Sequence, residues 1–265
     1  MTDVKLVIEP DTDEPEAASV YVDGTINGRE YRFLLDTGAG HSGVIKDDYT
    51  ATLTAVGSHT SSAVFGSGSE DLVTVEHLEL GPIIRHDFTL TRSAPGPGTQ
   101  TLIGMDVLRD AACHFLFDEQ RLVFPAVVDP AQTLEPLFMD AKYHPYLRVE
   151  YDSVSASAVW DTGASLTIVD RAFLDRSATY FTPAGQSIGT DARGTQVETA
   201  MFIMSAATIG GYVFPPHRVA AVDLAPVNAT LERPMDLILG YSTYRWANWL
   251  LDFPRQQWAI TRWHA

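Results

Sequence analysis

Two aspartates 125 residues apart, Asp36 and Asp161, each open an Asp-Thr-Gly tripeptide. Each follows an apolar run, Phe33-Leu34-Leu35 or Ala158-Val159-Trp160, and each tripeptide is followed by alanine, Ala39 or Ala164. Paired carboxyls can hydrolyse an amide without a covalent intermediate. One takes a proton from water while the other polarises the carbonyl oxygen. At about 3 Å and an effective dielectric near 20, two carboxylates repel by about 5 kcal/mol, or roughly four pKa units. One proton therefore stays on the pair, which offers an acid and a base at once. The apparent pKa values belong to the pair, so the sequence leaves open which aspartate keeps the proton. A lone Asp-Thr-Gly reads as a turn in which Asp caps the next amides; two in matched apolar settings ask for a common site.

The elements around each tripeptide repeat. Before Asp36, Ser19 to Val22 reads as a strand, Asn27-Gly28 as a tight turn and Tyr31 to Leu35 as the return. Before Asp161 the same order runs through Tyr146 to Tyr151, Asp152-Ser153 and Ser155 to Trp160. Later, Leu102-Ile103-Gly104 is answered by Ile238-Leu239-Gly240, each followed by a segment fit for a helical turn and then by a hairpin. Fifteen prolines and nineteen glycines spread along the chain suit strands and turns better than helices. The expectation is a mainly β chain of two pseudo-symmetric lobes, residues 1–127 and 143–265, joined by a Pro-bearing connector, 128–142. The acidic stretch 9–17 reads as exposed, and Val4 to Ile8 as a strand of unassigned sheet.

Composition removes other classes. A net charge of −16 leaves nothing to neutralise phosphates, so nucleic acid is not expected as a partner. Cys113 is the only cysteine, which forbids an intrachain disulfide and reads as a core residue. With no basic-then-apolar leader after Met1, a reducing cytoplasm is the expected compartment. Residues 199–216 carry no charge, but Gly210-Gly211 breaks the run and Pro215-Pro216 closes it, so a strand pair is expected and not a membrane span. The eight histidines show no metal-binding spacing, and no metal or other cofactor is expected. No βαβ alternation is present to host a phosphate site.

The two Leu/Trp-Asp-Thr-Gly-Ala segments, each with its apolar-apolar-Gly partner, resemble the aspartic proteases of the pepsin/retropepsin clan. The resemblance covers most of both halves and looks like a single-chain, two-lobed layout with retropepsin-style lobes. It implies that each aspartate loop tucks beside its apolar-apolar-Gly strand. It also implies that the Thr37 and Thr162 hydroxyls hydrogen-bond across the lobe interface, and that Gly38 and Gly163 let backbone amides reach the carboxylates. Many pepsins carry Ser or Thr where this chain has Ala39 and Ala164. Lacking those hydroxyls, the dyad is expected to titrate higher, with an optimum at mildly acidic to neutral pH.

The activity so implied is that of an aspartic endopeptidase acting on polypeptide, with its active site complete within one chain. A cover over the cleft is expected, and the candidate tips are Phe65-Gly66-Ser67-Gly68 and Ile188-Gly189-Thr190-Asp191, which also read as ordinary hairpin turns. The rival reading is a non-catalytic peptide-binding or assembly module on the same fold.

Overall fold

A computed structural model describes residues 2–63, 66–126, 132–190 and 196–264. The fold is mainly β, and among the described residues there are four α-helices of one or two turns and two short 3-10 turns. In the first half the strands are β1 (Thr2–Pro10), β2 (Ala18–Ile26), β3 (Arg29–Leu35), β4 (Gly43–Ile45) and β5 (Ala55–Ala63). They continue as β6 (Gly66–Leu80), β7 (Ile83–Ser93), β8 (Leu102–Ile103), β9 (Ala112–Leu116) and β10 (Arg121–Phe124). The segment read as a connector supplies two short strands, β11 (Glu135–Pro136) and β12 (Phe138–Met139). Then follow β13 (Pro145–Glu150), β14 (Ser155–Trp160), β15 (Thr167–Asp170), β16 (Phe181–Thr190) and β17 (Gln196–Met204). The last six are β18 (Ala207–Ile209), β19 (Tyr212–Phe214), β20 (His217–Val222), β21 (Leu237–Leu239), β22 (Ala247–Asp252) and β23 (Gln257–Trp263).

The duplication extends to strand order. The first half runs β2-β3-β8-β4-β7-β6-β5 and the second runs β13-β14-β21-β15-β20-β17-β16. Directions agree as well: β3–β8 and β14–β21 are parallel, β4–β7 and β15–β20 are parallel, and β4–β8 and β15–β21 are antiparallel. Local chemistry explains the hairpins that feed the aspartates. Asn27 and Gly28 both adopt positive φ (48° and 75°), which suits the twist of a two-residue hairpin loop, and residues tolerant of that region occupy both sites. On the strands, Val20, Val22, Phe33 and Leu35 are fully buried while Asp23, Arg32 and Glu30 face water, the alternation of a half-buried sheet.

A third sheet joins the halves. β22 pairs with β9 (Trp249 opposite Phe115, Leu251 opposite Cys113), so the order β11-β23-β22-β9-β10-β1 mixes strands from both. β1 belongs to two sheets: Thr2 to Lys5 pair with β10, and Leu6 to Pro10 with β2. Above this floor Trp160, Tyr244, Trp249 and Phe115 pack ring against ring, 4.8–5.8 Å between centroids, and none is exposed. Aromatic packing of this kind contributes beyond its buried area. Cys113 lies in the same core.

Two expectations need correction. The acidic stretch 9–17 is not simply solvated. Glu14 is buried and makes a two-pronged pair with Arg218 of β20 (2.7 and 3.1 Å), while Glu16 accepts the Arg218 N–H. A carboxylate is buried where a guanidinium fork meets it, which composition does not reveal. The uncharged run 199–216 forms three strands, not two: the end of β17, then β18 and β19 about the Gly210-Gly211 turn, both glycines at positive φ. Among the described residues no helix is long and apolar enough to cross a membrane.

Candidate active site

Each aspartate sits where a strand ends against a parallel neighbour. Leu35 pairs with Ile103 and the Asp36 N–H donates to the Ile103 carbonyl at 2.9 Å; Trp160 pairs with Leu239 and the Asp161 N–H donates to Leu239 at 3.1 Å. Beyond each aspartate the chain crosses over a glycine. A Cβ on Gly104 would meet the Ala39 carbonyl oxygen at 2.7 Å, and one on Gly240 would meet the Leu166 backbone at 2.4 Å. No other residue permits that approach. The crossing is tied down when Met105 and Tyr241 donate their N–H groups to Ala39 and Ala164 (2.8 and 2.9 Å). Hydroxyls reinforce it. Ser42 Oγ accepts from the Gly104 N–H and donates to Asp106, and Thr167 Oγ1 accepts from the Gly240 N–H.

The two loops meet at the lobe interface. Thr37 Oγ1 donates to the Trp160 carbonyl (2.8 Å) and accepts from the Thr162 N–H (3.0 Å). Thr162 Oγ1 accepts from the Thr37 N–H (3.1 Å). Both threonines are fully buried, so each hydroxyl satisfies groups that water cannot reach. Tyr244 adds a further tie by donating its hydroxyl to the Thr162 carbonyl at 3.1 Å.

These contacts bring the carboxyls together. The Gly38 N–H lies 3.0 Å from Asp36 Oδ1 and 3.2 Å from Asp161 Oδ1, so one donor serves both. The Gly163 N–H donates to Asp161 Oδ1 at 2.8 Å. A Cβ on Gly38 would lie within 2.5 Å of the Asp161 carboxyl, and one on Gly163 within 2.4 Å of that of Asp36. Each glycine is thus the floor on which the opposite carboxyl rests. Burial and the Asp161 carboxylate hold Asp36 well above the usual carboxyl range, against the pull of the Gly38 and Ala39 amides. Burial raises Asp161 too, opposed by the Gly163 N–H, the hydrogen bond with Asp36 and the charge of His144.

Of the candidate cover residues, Phe65 and Asp191 lie outside the described residues. Gly66 opens β6, and Ile188 and Gly189 are in β16, with Ile188 68% exposed. The described residues of both candidate segments belong to long antiparallel strand pairs, β5/β6 and β16/β17. The first is rooted near the site: the His59 ring of β5 lies 4.7 Å from that of His41, just beyond the Asp36 loop. Sequence reasoning missed Tyr244, Asp140 and His144. Only for His144 was a signal present, because extending the β13/β14 hairpin register back from Tyr146 places it beside Asp161. No group of three or more His, Cys, Asp or Glu able to hold a metal occurs among the described residues.

Two β lobes that each thread an aspartate loop over a glycine, and meet through reciprocal threonines, define an aspartic-protease architecture. Residues 22–110 match the gag-polyprotein aspartyl protease family and residues 147–243 the aspartyl protease family. The chain belongs to the retropepsin-like aspartyl proteases, in a form with two lobes. Comparison with curated proteins gives no match.

Proposed function

We propose that the chain is an aspartic endopeptidase in which Asp36 and Asp161 activate one water against a peptide bond. The observation that carries this is the single Gly38 N–H shared by Asp36 Oδ1 and Asp161 Oδ1. Two carboxyls so close in a buried site keep one proton between them. Burial raises both carboxyls, and we take Asp36 as the holder of that proton. Asp161, the carboxylate, takes a proton from water as the water oxygen bonds to the carbonyl carbon, and Asp36 gives its proton to the carbonyl oxygen. Collapse of the gem-diol breaks the C–N bond. The proton held by Asp161 passes to the leaving nitrogen, and a hydroxyl proton returns to Asp36.

An extended polypeptide is the proposed substrate, laid between lobes 1–127 and 143–265 and pairing its backbone with the strands of the β5/β6 hairpin. In this reading Gly66, Ile188 and Gly189 belong to covering hairpins, Thr37 and Thr162 hold the loops, and one chain suffices. The test is cleavage of an unstructured polypeptide by the wild type, by Asp36→Asn and by Asp161→Asn, with and without pepstatin. The proposal requires cleavage that either substitution or the inhibitor abolishes. Peptide binding without cleavage in the wild type would instead establish a peptide-binding module.

A further inference from the structure

We propose that His144, held by the buried Asp140, is a positioning residue for the dyad: it sets a positive charge beside Asp161 alone and so decides which carboxyl keeps the shared proton. The inference rests on the dyad reading above.

Strand register brings His144 there. In the β13/β14 hairpin Tyr146 stands opposite Val159 and Leu147 opposite Ala158. Carried two steps past that last pair, the register leads to His144 on one side and Asp161 on the other, and the charge of His144 acts on the Asp161 carboxyl. The turn preceding β13 is also wedged against the first aspartate loop: a Cβ on Gly40 would lie 3.1 Å from the Lys142 carbonyl oxygen. Tyr143, at φ 68°, stacks its ring 4.3 Å from the Arg109 guanidinium of the first lobe. Segment 140–144 therefore touches both halves of the site.

The imidazole is locked. His144 Nδ1 lies 2.8 Å from Asp140 Oδ2, and Asp140 Oδ1 accepts the backbone N–H groups of Lys142 and His144, both at 2.9 Å. The Tyr146 hydroxyl adds a longer contact of 3.4 Å. Asp140 is 5% exposed; burial alone would raise its carboxyl, but His144 and the two amides bring it below the ordinary range. The Nδ1 contact with Asp140 fixes the ring and leaves Nε2 as the nitrogen turned away from Asp140. Charged or titratable groups around this imidazole include Lys142 and Tyr146 on its own hairpin, Asp161, Arg233 and Glu232 against Tyr146, and Arg109 against Tyr143, with His41 beyond Arg109. Asp36 and Tyr244 lie beyond Asp161.

The first lobe has no equivalent. There Tyr21 stands opposite Leu34, so the same two steps place Ser19, which carries no charge, opposite Asp36. The pseudo-twofold is broken at this position. The asymmetry supplies on one side, by charge, the support that Ala39 and Ala164 do not give by hydroxyl. It extends the singly protonated state toward lower pH.

The test uses His144→Asn, whose side-chain amide can occupy the Nδ1 position and keep the bond to Asp140 but cannot become charged. Carboxyl 13C NMR, assigned with Asp36→Asn and Asp161→Asn, reads the Asp161 titration without turnover; the pH profile of kcat/KM on an unstructured polypeptide reads it through activity. In His144→Asn the Asp161 midpoint and the acid limb should both move up by about half to one pH unit. Asp140→Asn should move them the same way by less. An unmoved Asp161 titration in folded His144→Asn overturns the proposal, as does lost activity with an unchanged profile, which would mark a merely structural role. Should that variant not fold, His144→Gln carries the same expectation. If the wild type cleaves nothing, the hydrolase reading fails while the NMR titration still decides this one.

Discussion

Replacing Thr37 by valine tests whether the reciprocal threonines hold the lobes in register. Valine keeps the shape and loses only the hydroxyl, which donates to the Trp160 carbonyl at 2.8 Å and accepts from the Thr162 N–H at 3.0 Å. Thr37 and Thr162 are both fully buried, so water cannot replace the lost partner. Leaving a buried backbone group without its partner costs about 1–3 kcal/mol. Two such groups give an expected loss of about 3 kcal/mol, or roughly 6–12 °C in Tm for a chain of this size. Urea titration and thermal unfolding measure it, with Thr37→Ser, which keeps the hydroxyl, as the control. Thr162→Val removes the acceptor of the Thr37 N–H, at 3.1 Å, and the double variant should lose less than the two single losses together, because the grips are neighbours. Thr37→Val within about 0.5 kcal/mol of wild type would refute the argument.

Other perturbations separate the remaining parts. Because the Asp36 carboxyl is raised in the folded state by burial and by Asp161, the native chain binds more protons than the unfolded one between the two pKa values, and stability falls as pH rises through that window. Asp36→Asn should therefore be more stable than wild type at pH 7, with the gap closing as pH drops through that window toward the ordinary carboxyl value; a variant less stable at pH 7 in thermal unfolding contradicts this. Gly240→Ala, whose Cβ would meet the Leu166 backbone at 2.4 Å, should cost more than about 3 kcal/mol, whereas Gly57→Ala, nearest Leu72 Cδ1 at 3.6 Å, should be tolerated. Arg218→Met leaves the buried Glu14 unpaired and should cost about 3 kcal/mol by urea titration, with much of that restored by adding Glu14→Gln.

The parts of the fold legible in the sequence were those written locally. Asn27-Gly28 declared its hairpin, and the apolar runs before Asp36 and Asp161 declared buried strands ending at a charge. Gly104 and Gly240 were visible as the ends of apolar pairs, although the need for them came from a chain crossing that no local pattern shows. What stayed hidden was non-local. The pairing of β22 with β9 depends on residues 134 apart, Phe115 and Trp249. The burial of Glu14 depends on Arg218, 204 positions away, so its acidic neighbourhood read as solvated surface. His144 fell between these cases, being one of eight histidines with no metal spacing until its place opposite Asp161 is counted out along the hairpin.

The mixed floor sheet also bears on how the polypeptide matures. During synthesis β9 emerges well before β22, so for more than a hundred added residues Phe115 and Cys113 lack the strand that covers them. An early product can build its own aspartate loop and hairpins, yet it presents an open, greasy edge of the kind that recruits chaperones or self-associates. Assembly of the site is thereby deferred: both carboxyls are seated only once the second lobe has been translated, and the late hairpin then seals the base beneath them.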